Sequence, residues 1–366
     1  MDNDVLLWIV VATALAFDFT NGFHDTANAV ATSISTRAMA PKVAVGMASI
    51  LNFVGAFLSL QVAATIASGI VEADLITLPI VFAGLIGAIF WNLLTWYFGL
   101  PSSSSHALIG GMIGSAFAAE GADAIIGDGI VEKVIIPGLM APVLAFVVAG
   151  LGILLIYRIV GRLRPSTVSR SFRLGQIITG GLFSLSHGTN DAQKTMGIIF
   201  LALIANGNLT ESSDIPSWVV VSSASAIALG TYVGGWRIIK TMGSRIIKMD
   251  PAQGFAAQGA GAAVILTASH VGFPLSTTHV ASGGIMGAGA AKRVSAVRWG
   301  VAGNIVVAWV LTLPAAAMVG ALTYGVVSLF GGGAAGPVVI SAVLLLALSA
   351  ALARRMGSGQ TLTAEG

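Results

Sequence analysis

The sequence contains no cysteine, which excludes disulfides and thiolate metal centres. Charge is scarce too: 9% of its 366 residues are Asp, Glu, Lys or Arg, against about 25% in an ordinary soluble domain. With 56% hydrophobic residues the chain reads as an integral membrane protein. Apolar runs at 43–64, 78–100, 134–157 and 299–324 are each long enough to cross roughly 30 Å of hydrocarbon. A basic leader is also missing. Asp2 and Asp4 open the chain, so its first apolar stretch reads as a retained membrane helix and not a cleaved signal. The net charge of +3 comes from basic residues placed almost entirely in the connecting segments, which points to membrane orientation and gives no reason to expect a nucleic-acid partner.

Those segments sort by sign. Basic groups mark Arg37 and Lys42; Arg158, Arg162, Arg164, Arg170 and Arg173; Arg237, Lys240, Arg245 and Lys248; Lys292, Arg293 and Arg298; Arg354 and Arg355. These segments should be cytoplasmic. Acidic groups mark the alternate segments, at Glu72 and Asp74, then Glu120, Asp123, Asp128 and Glu132 beside a lone Lys133, then Glu211 and Asp214, which should be external. Threading the chain accordingly places the N-terminus outside the cytoplasmic membrane and the C-terminus inside. Crossings are expected near 5–30, 43–66, 134–157, 174–205 and 217–236. Both ends of 78–118 fall outside and both ends of 254–290 inside, so each is expected to be a helical hairpin that returns to the face it entered by. The second half is then the first half upside down.

Local self-similarity follows the same inversion. Asn21-Gly22-Phe23-His24-Asp25-Thr26-Ala27-Asn28 aligns with His187-Gly188-Thr189-Asn190-Asp191-Ala192-Gln193-Lys194, 166 residues on, and Pro101-Ser102-Ser103-Ser104-Ser105-His106 with Pro274-Leu275-Ser276-Thr277-Thr278-His279, 173 residues on. Gly110, Gly111 and Gly114 keep the second offset to Gly283, Gly284 and Gly287. Pro142 and Pro314 continue it more weakly. The expected fold is an all-α integral membrane protein of two inverted-topology repeats, each with a broken first helix and a re-entrant helical hairpin. Residues 1–157 make the first repeat, 158–173 a cytoplasmic basic linker, 174–330 the second repeat, 331–356 an extra helix and 357–366 a flexible tail. Transporters built this way bind their substrate near the midplane, between the repeats.

The threading leaves Asp18, Asp25, Asp191 and Lys194 inside apolar spans, where an ionisable group costs about 2.5–3.5 kcal/mol. An Asp191–Lys194 pair one helical turn apart is the plain structural explanation, but it leaves Asp25 without a partner. Two repeat-related carboxylates among Asn21, Asn28 and Asn190 form an oxygen-rich set suited to a hard cation or a proton. Gly22 and Gly188 would let the helices unwind there. Asp18, whose repeat mate is Ser184, fits a vestibule equally well. Each Ser/Thr cluster follows a proline, as helix caps do. Yet two such helix starts, with hydroxyls from Ser103, Ser104, Ser105, Ser276, Thr277 and Thr278, would also aim amides and positive dipole ends at one anion such as phosphate or sulfate. All five histidines, His24, His106, His187, His270 and His279, lie in or beside these motifs. Ser103 with His106 and Ser276 with His279 have the look of hydrolase pairs, but a hydrolase needs one nucleophile and these recur with the repeat. No enzymatic activity is expected.

Residues 17–39, with the two Asp-containing motifs and the two Pro-Ser/Thr-His turns, resemble the PiT inorganic phosphate transporter family, especially its bacterial low-affinity branch, over about residues 5–330. The resemblance implies import of inorganic phosphate with a coupling cation, the hairpins closing on the anion and the cation held at Asp25, Asn28, Asn190 and Asp191, with His24 and Asn21 beside them. It implies no cofactor, membrane lipid as surroundings, and a core capable of forming a homodimer. Sodium-coupled members read Gly-Ala-Asn-Asp-Val-Ala-Asn in both copies. Here His24 replaces the first Asn, Lys194 replaces the last one of the second copy, and Gln258 stands where relatives have Glu. Lys194 then reads as a tethered surrogate for one sodium, and a proton is favoured over sodium as the coupling ion. Whether a metal ion travels with phosphate stays open, as do a sulfate or other oxyanion symporter and a passive anion channel.

Overall fold

The computed structural model describes residues 2–331 and 333–357, and its architecture is helical, with one isolated β-bridge between Val71 and Ile125 among the described residues. In chain order the helices are α1 Asp2–Ser35, α2 Pro41–Gly55, α3 Gln61–Ser68, α4 Leu78–Phe98, α5 Ser104–Glu120, α6 Gly127–Ile130, α7 Ile136–Val160, α8 Pro165–Ala205, α9 Ser217–Val233, α10 Trp236–Lys240, α11 Pro251–Val271, α12 Thr277–Lys292, α13 Trp299–Ser328 and α14 Ala335–Gly357. A π-helical turn, Val131–Ile135, carries α6 into α7, and another, Thr241–Arg245, extends α10. Helices over Asn3–Ser35, Leu78–Phe98, Gly127–Val160 and Trp299–Ser328 are long and apolar enough to cross a membrane, as are α9 and the bent α10 segment taken together.

Polarity is distributed inside out relative to a soluble protein. Leu139, Val143 and Leu151 of α7 and Val307, Val310 and Leu322 of α13 are exposed, while Asp18, Asp25, Asp191 and Lys194 are buried. Lipid tails solvate the former as well as a core would, and ionisable groups are tolerated in the bundle interior. This is a multi-pass membrane protein.

Contacts between the halves are reciprocal. Helix α1 packs on α9 as α8 packs on α2, and α13 packs on the α4–α5 pair as α7 packs on the α11–α12 pair. Both hairpins turn by the same device. Gly99 (φ 66°) and Gly272 (φ 83°) end α4 and α11 in the left-handed region. The amides of Leu100 and Phe273 then close back on the carbonyls of Thr95 and Ala268, each at 2.9 Å. A proline follows each turn, and α5 and α12 restart under Ser103 and Ser276, whose hydroxyl oxygens accept from the amides of His106 (3.1 Å) and His279 (3.3 Å).

The expected breaks at Gly22 and Gly188 are not present, for α1 and α8 run through them without interruption. These glycines instead bring backbones into contact. A Cβ on Gly22 would collide with the carbonyl oxygen of Ile227, and one on Gly188 with that of Asn52. Their partners across the crossings are glycines as well, with Gly230 against Phe19 and Gly55 against Leu185. Breaks fall one element later: the expected span 43–66 is divided into α2 and α3, and 217–236 ends in a 61° bend between α9 and α10 at Gly234, φ 75°. The basic segment 158–173 is largely helix, since α7 continues to Val160 and α8 begins at Pro165. The extra helix is α14, and the expected tail beyond Gly357 lies outside the described residues.

Gly188→Ala should therefore lower stability by about 1–3 kcal/mol through overpacking. Gly46→Ala, in open space on α2, should leave it unchanged or raise it by up to about 1 kcal/mol. Melting of the two purified variants in one detergent compares them directly, and equal midpoints would contradict the close crossing.

Candidate functional site

The middle of α1, the middle of α8 and the two hairpin tips converge. Because α1 and α8 are unbroken, their polar residues form fixed stripes, and the tips supply hydroxyls to them. Asp25 receives the Thr278 hydroxyl at 3.2 Å on Oδ1, and the Thr277 hydroxyl lies 3.4 Å from its Oδ2. Thr277 also lies 3.0 Å from Asp191 Oδ2, so one hydroxyl faces both repeat-related carboxylates. The Asn28 side-chain amide donates to Thr277 (3.2 Å) and Thr278 (2.9 Å), anchoring the same turn.

Each carboxylate has a basic companion. His24 Nδ1 lies 2.6 Å from Asp25 Oδ1, and its Nε2 lies 3.1 Å from the Thr95 hydroxyl, with Ser102 at 3.4 Å. The two are neighbours on an unbroken helix, and the imidazole still meets the carboxylate. Lys194 Nζ donates to Asp191 Oδ1, to Ser105 Oγ (2.6 Å) and to the Leu275 carbonyl (2.8 Å). All three ammonium donors are used, one on α8 and one on each hairpin tip. Ser105 itself donates to the Leu275 carbonyl at 3.1 Å, joining the tips directly. His187 Nε2 stands 3.0 Å from Asp191 Oδ2 without hydrogen-bond alignment, while its Nδ1 is 3.1 Å from Asn52 Oδ1. Asp25, His187 and Asp191 each present a ligand atom within 4.8 Å of the others, a geometry able to hold a cation.

The expected residues divide by role. Ser103 and Ser276 serve as caps, so their oxygens are committed to backbone amides, whereas Ser104 Oγ is buried and makes no hydrogen bond. Asn190 turns its amide to Ser269 Oγ (2.9 Å) and the Phe273 carbonyl (3.2 Å), bracing the second tip, and leaves its oxygen without a partner. Asn21 makes no contact with the tips and also keeps a bare oxygen. Gln258 binds the Ala29 carbonyl (3.0 Å) and Ser33 Oγ (2.9 Å), away from the centre. Sequence reasoning missed Asn52, Thr95 and Ser102, which orient the two imidazoles. Asn52 and Thr95 stand isolated in otherwise apolar stretches, which is the signal that marks them.

Two segments, residues 21–166 and 161–320, match the Phosphate transporter family. The chain is 56% identical over 328 residues to a Mycobacterium tuberculosis protein named "Probable low-affinity inorganic phosphate transporter", covering 89% of this chain and 79% of that one. A Bacillus subtilis protein of the same name is 46% identical over 329 residues, covering 89% and 98%. A solved structure described as "The sodium-dependent phosphate transporter" shares the fold with a TM-score of 0.81 and 25% identity, covering 89% of this chain and 99% of the other.

Removing one partner of a buried ion pair strands the other charge, so Lys194→Met should cost about 3–5 kcal/mol. Asp191→Asn added to it should restore much of that loss. Thermal unfolding of the single and double variants in detergent measures both, and a double variant no more stable than Lys194→Met would show that the two charges do not depend on each other.

Proposed function

The chain belongs to the phosphate transporter family, and from that membership we propose that it imports inorganic phosphate across the cytoplasmic membrane by cation symport, with a proton favoured over sodium. The observation that carries this reading is the Thr277 hydroxyl, which lies on a hairpin tip and faces both Asp25 and Asp191. A tip hydroxyl turned to a carboxylate is a donor withheld from an oxyanion. A cation taken up by the carboxylates releases it, so that the tips can offer hydroxyls and helix-start amides to phosphate. The same cation cancels the repulsion between carboxylates and anion, and it offsets the roughly 2.3 kcal/mol per charge per 100 mV of bringing an anion into an inside-negative cell. A passive channel would have no use for buried carboxylates beside its anion site.

A proton is favoured because the two carboxylates differ in their companions. Asp191 has a cation in Lys194, which stands in for one sodium, whereas Asp25 has an imidazole at 2.6 Å, a side chain that can exist with or without an added proton. In the proposed cycle the His24–Asp25 pair takes a proton from outside, phosphate binds between the tips, and both leave inside. The proposed orientation keeps the N-terminus outside and the C-terminus cytoplasmic, with both hairpins re-entrant and lipid against α7 and α13. A homodimer would use the same apolar outer surface. A second reading is favoured by the cluster of Asp25, His187 and Asp191, which could take sodium or a metal ion accompanying phosphate.

In liposomes containing the pure protein, an inward proton gradient without sodium should drive labelled phosphate accumulation, and a proton ionophore should collapse it. Accumulation that needs sodium and ignores the ionophore would transfer the role to the cation cluster. Asp25→Asn should abolish accumulation while leaving folded protein in the membrane. Ser104→Ala should weaken phosphate affinity by about 1.5–3 kcal/mol, the worth of one hydrogen bond to a charged group, and leave coupling intact. Unchanged affinity there would mean that the Ser104 hydroxyl does not meet the anion.

A further inference from the structure

Asp18, Asn21, Asp25, Asn28 and Thr32 recur along α1 at alternating intervals of three and four, so they share one helix face. All five are buried, none more than 3% exposed. Apart from Asp25, every one of them holds a side-chain oxygen that makes no hydrogen bond, namely both carboxylate oxygens of Asp18, the amide oxygens of Asn21 and Asn28, and the Thr32 hydroxyl. Buried polar atoms are paired in the great majority of cases, so four exceptions among five residues of one face call for a ligand. The row spans about 21 Å at 1.5 Å per residue, most of the hydrocarbon thickness.

The chemistry of the row is one-sided. It offers oxygen acceptors, whereas the hairpin tips offer donors. The amide nitrogen of Asn28 is already spent on Thr277 and Thr278, which leaves its buried oxygen as the free group. Charge compensation sets Asp18 apart: Asp25 has His24 and Asp191 has Lys194, but no cationic side chain pairs with Asp18 among the described residues. From α8 it is approached by the Thr195 hydroxyl and by the charges of Asp191 and Lys194, which are engaged with each other. A lone buried carboxylate is costly, and one monovalent cation neutralises it where a divalent ion would leave an excess charge.

We propose that this face of α1 is the track along which the coupling cation crosses, and that Asp18, with Asn21 and Thr195, is its first binding station, separate from the Asp25–Asp191 centre. The ligand is a monovalent cation bound by oxygens, either sodium or a hydrated proton. This rests on the symport reading and adds a path to it. Phosphate moves between donors at the tips, the cation moves along acceptors on α1, and the two routes meet at Thr277 and Thr278. Asp18 lies about two turns before Asp25, on the side the proposed orientation places outside.

The test uses the full chain in liposomes, with labelled phosphate and with sodium and proton gradients imposed separately. In Asp18→Asn, the concentration of driving cation giving half-maximal uptake should rise at least ten-fold. The phosphate concentration giving half-maximal uptake at saturating cation should move less than two-fold, and Asp18→Glu should recover part of the cation response. The arm that responds identifies the cation. Unchanged cation dependence in Asp18→Asn, or an equal shift in both dependences, overturns the track. A wild-type chain that takes up no phosphate would instead count against the proposed function. In that case melting in detergent still decides: raising sodium or lowering pH should stabilise the wild type more than Asp18→Asn, and equal shifts overturn the proposal.

Discussion

Lys194 is the interaction on which the centre depends. Its ammonium is fully buried, and each of its three donors has an acceptor, on Asp191, on Ser105 of the first tip and on the Leu275 carbonyl of the second. Removing any one of these leaves a buried donor unmatched, a penalty larger than the net worth of the bond itself. One side chain from the second repeat therefore fixes the distance between the hairpins of both. The positions of Thr277 and Thr278 relative to the carboxylates follow from that distance.

Such a polar centre requires walls that approach closely. The halves meet backbone to backbone, with Gly22 and Gly230 at one crossing and Gly188 and Gly55 at its mate. The hairpins repeat the device, as Gly114 abuts the carbonyl of Ala317 and Gly287 that of Phe146. Small residues at crossings are how helices associate where no hydrophobic effect drives them together. The glycines that flank Asp25 and Asp191 in sequence are thus packing residues, and they hold the helices that carry those carboxylates straight.

Much of this was legible in the chain. The hairpin bounds, the duplication and the residues of the centre came from apolar run length, charge placement and two short repeats. Helix continuity was misread because glycine before a buried Asp is equally compatible with unwinding and with close approach, and what decides is the residue across the crossing, about 130 to 210 positions away in sequence. The division of the hydroxyls was hidden for a similar reason. Four serines in a row look alike, but the turn set by Gly99 and Pro101 makes Ser103 the cap, turns Ser105 to Lys194 and leaves Ser104 unbonded. Asn52 and Thr95 escaped notice because their roles come from partners on other helices.

Backbone and charge obey different symmetries. Crossings, hairpin turns and caps recur in both halves, yet the first half answers its carboxylate with an imidazole one residue earlier and the second with an ammonium three residues later. Two like carboxylates in one low-dielectric centre could not both stay ionised beside an anion. The compensation of one is supplied by an ammonium, and that of the other rests on an imidazole. Symmetric scaffolding brings the two hairpin tips together at one centre, and asymmetric charge makes the two carboxylates that they meet unlike.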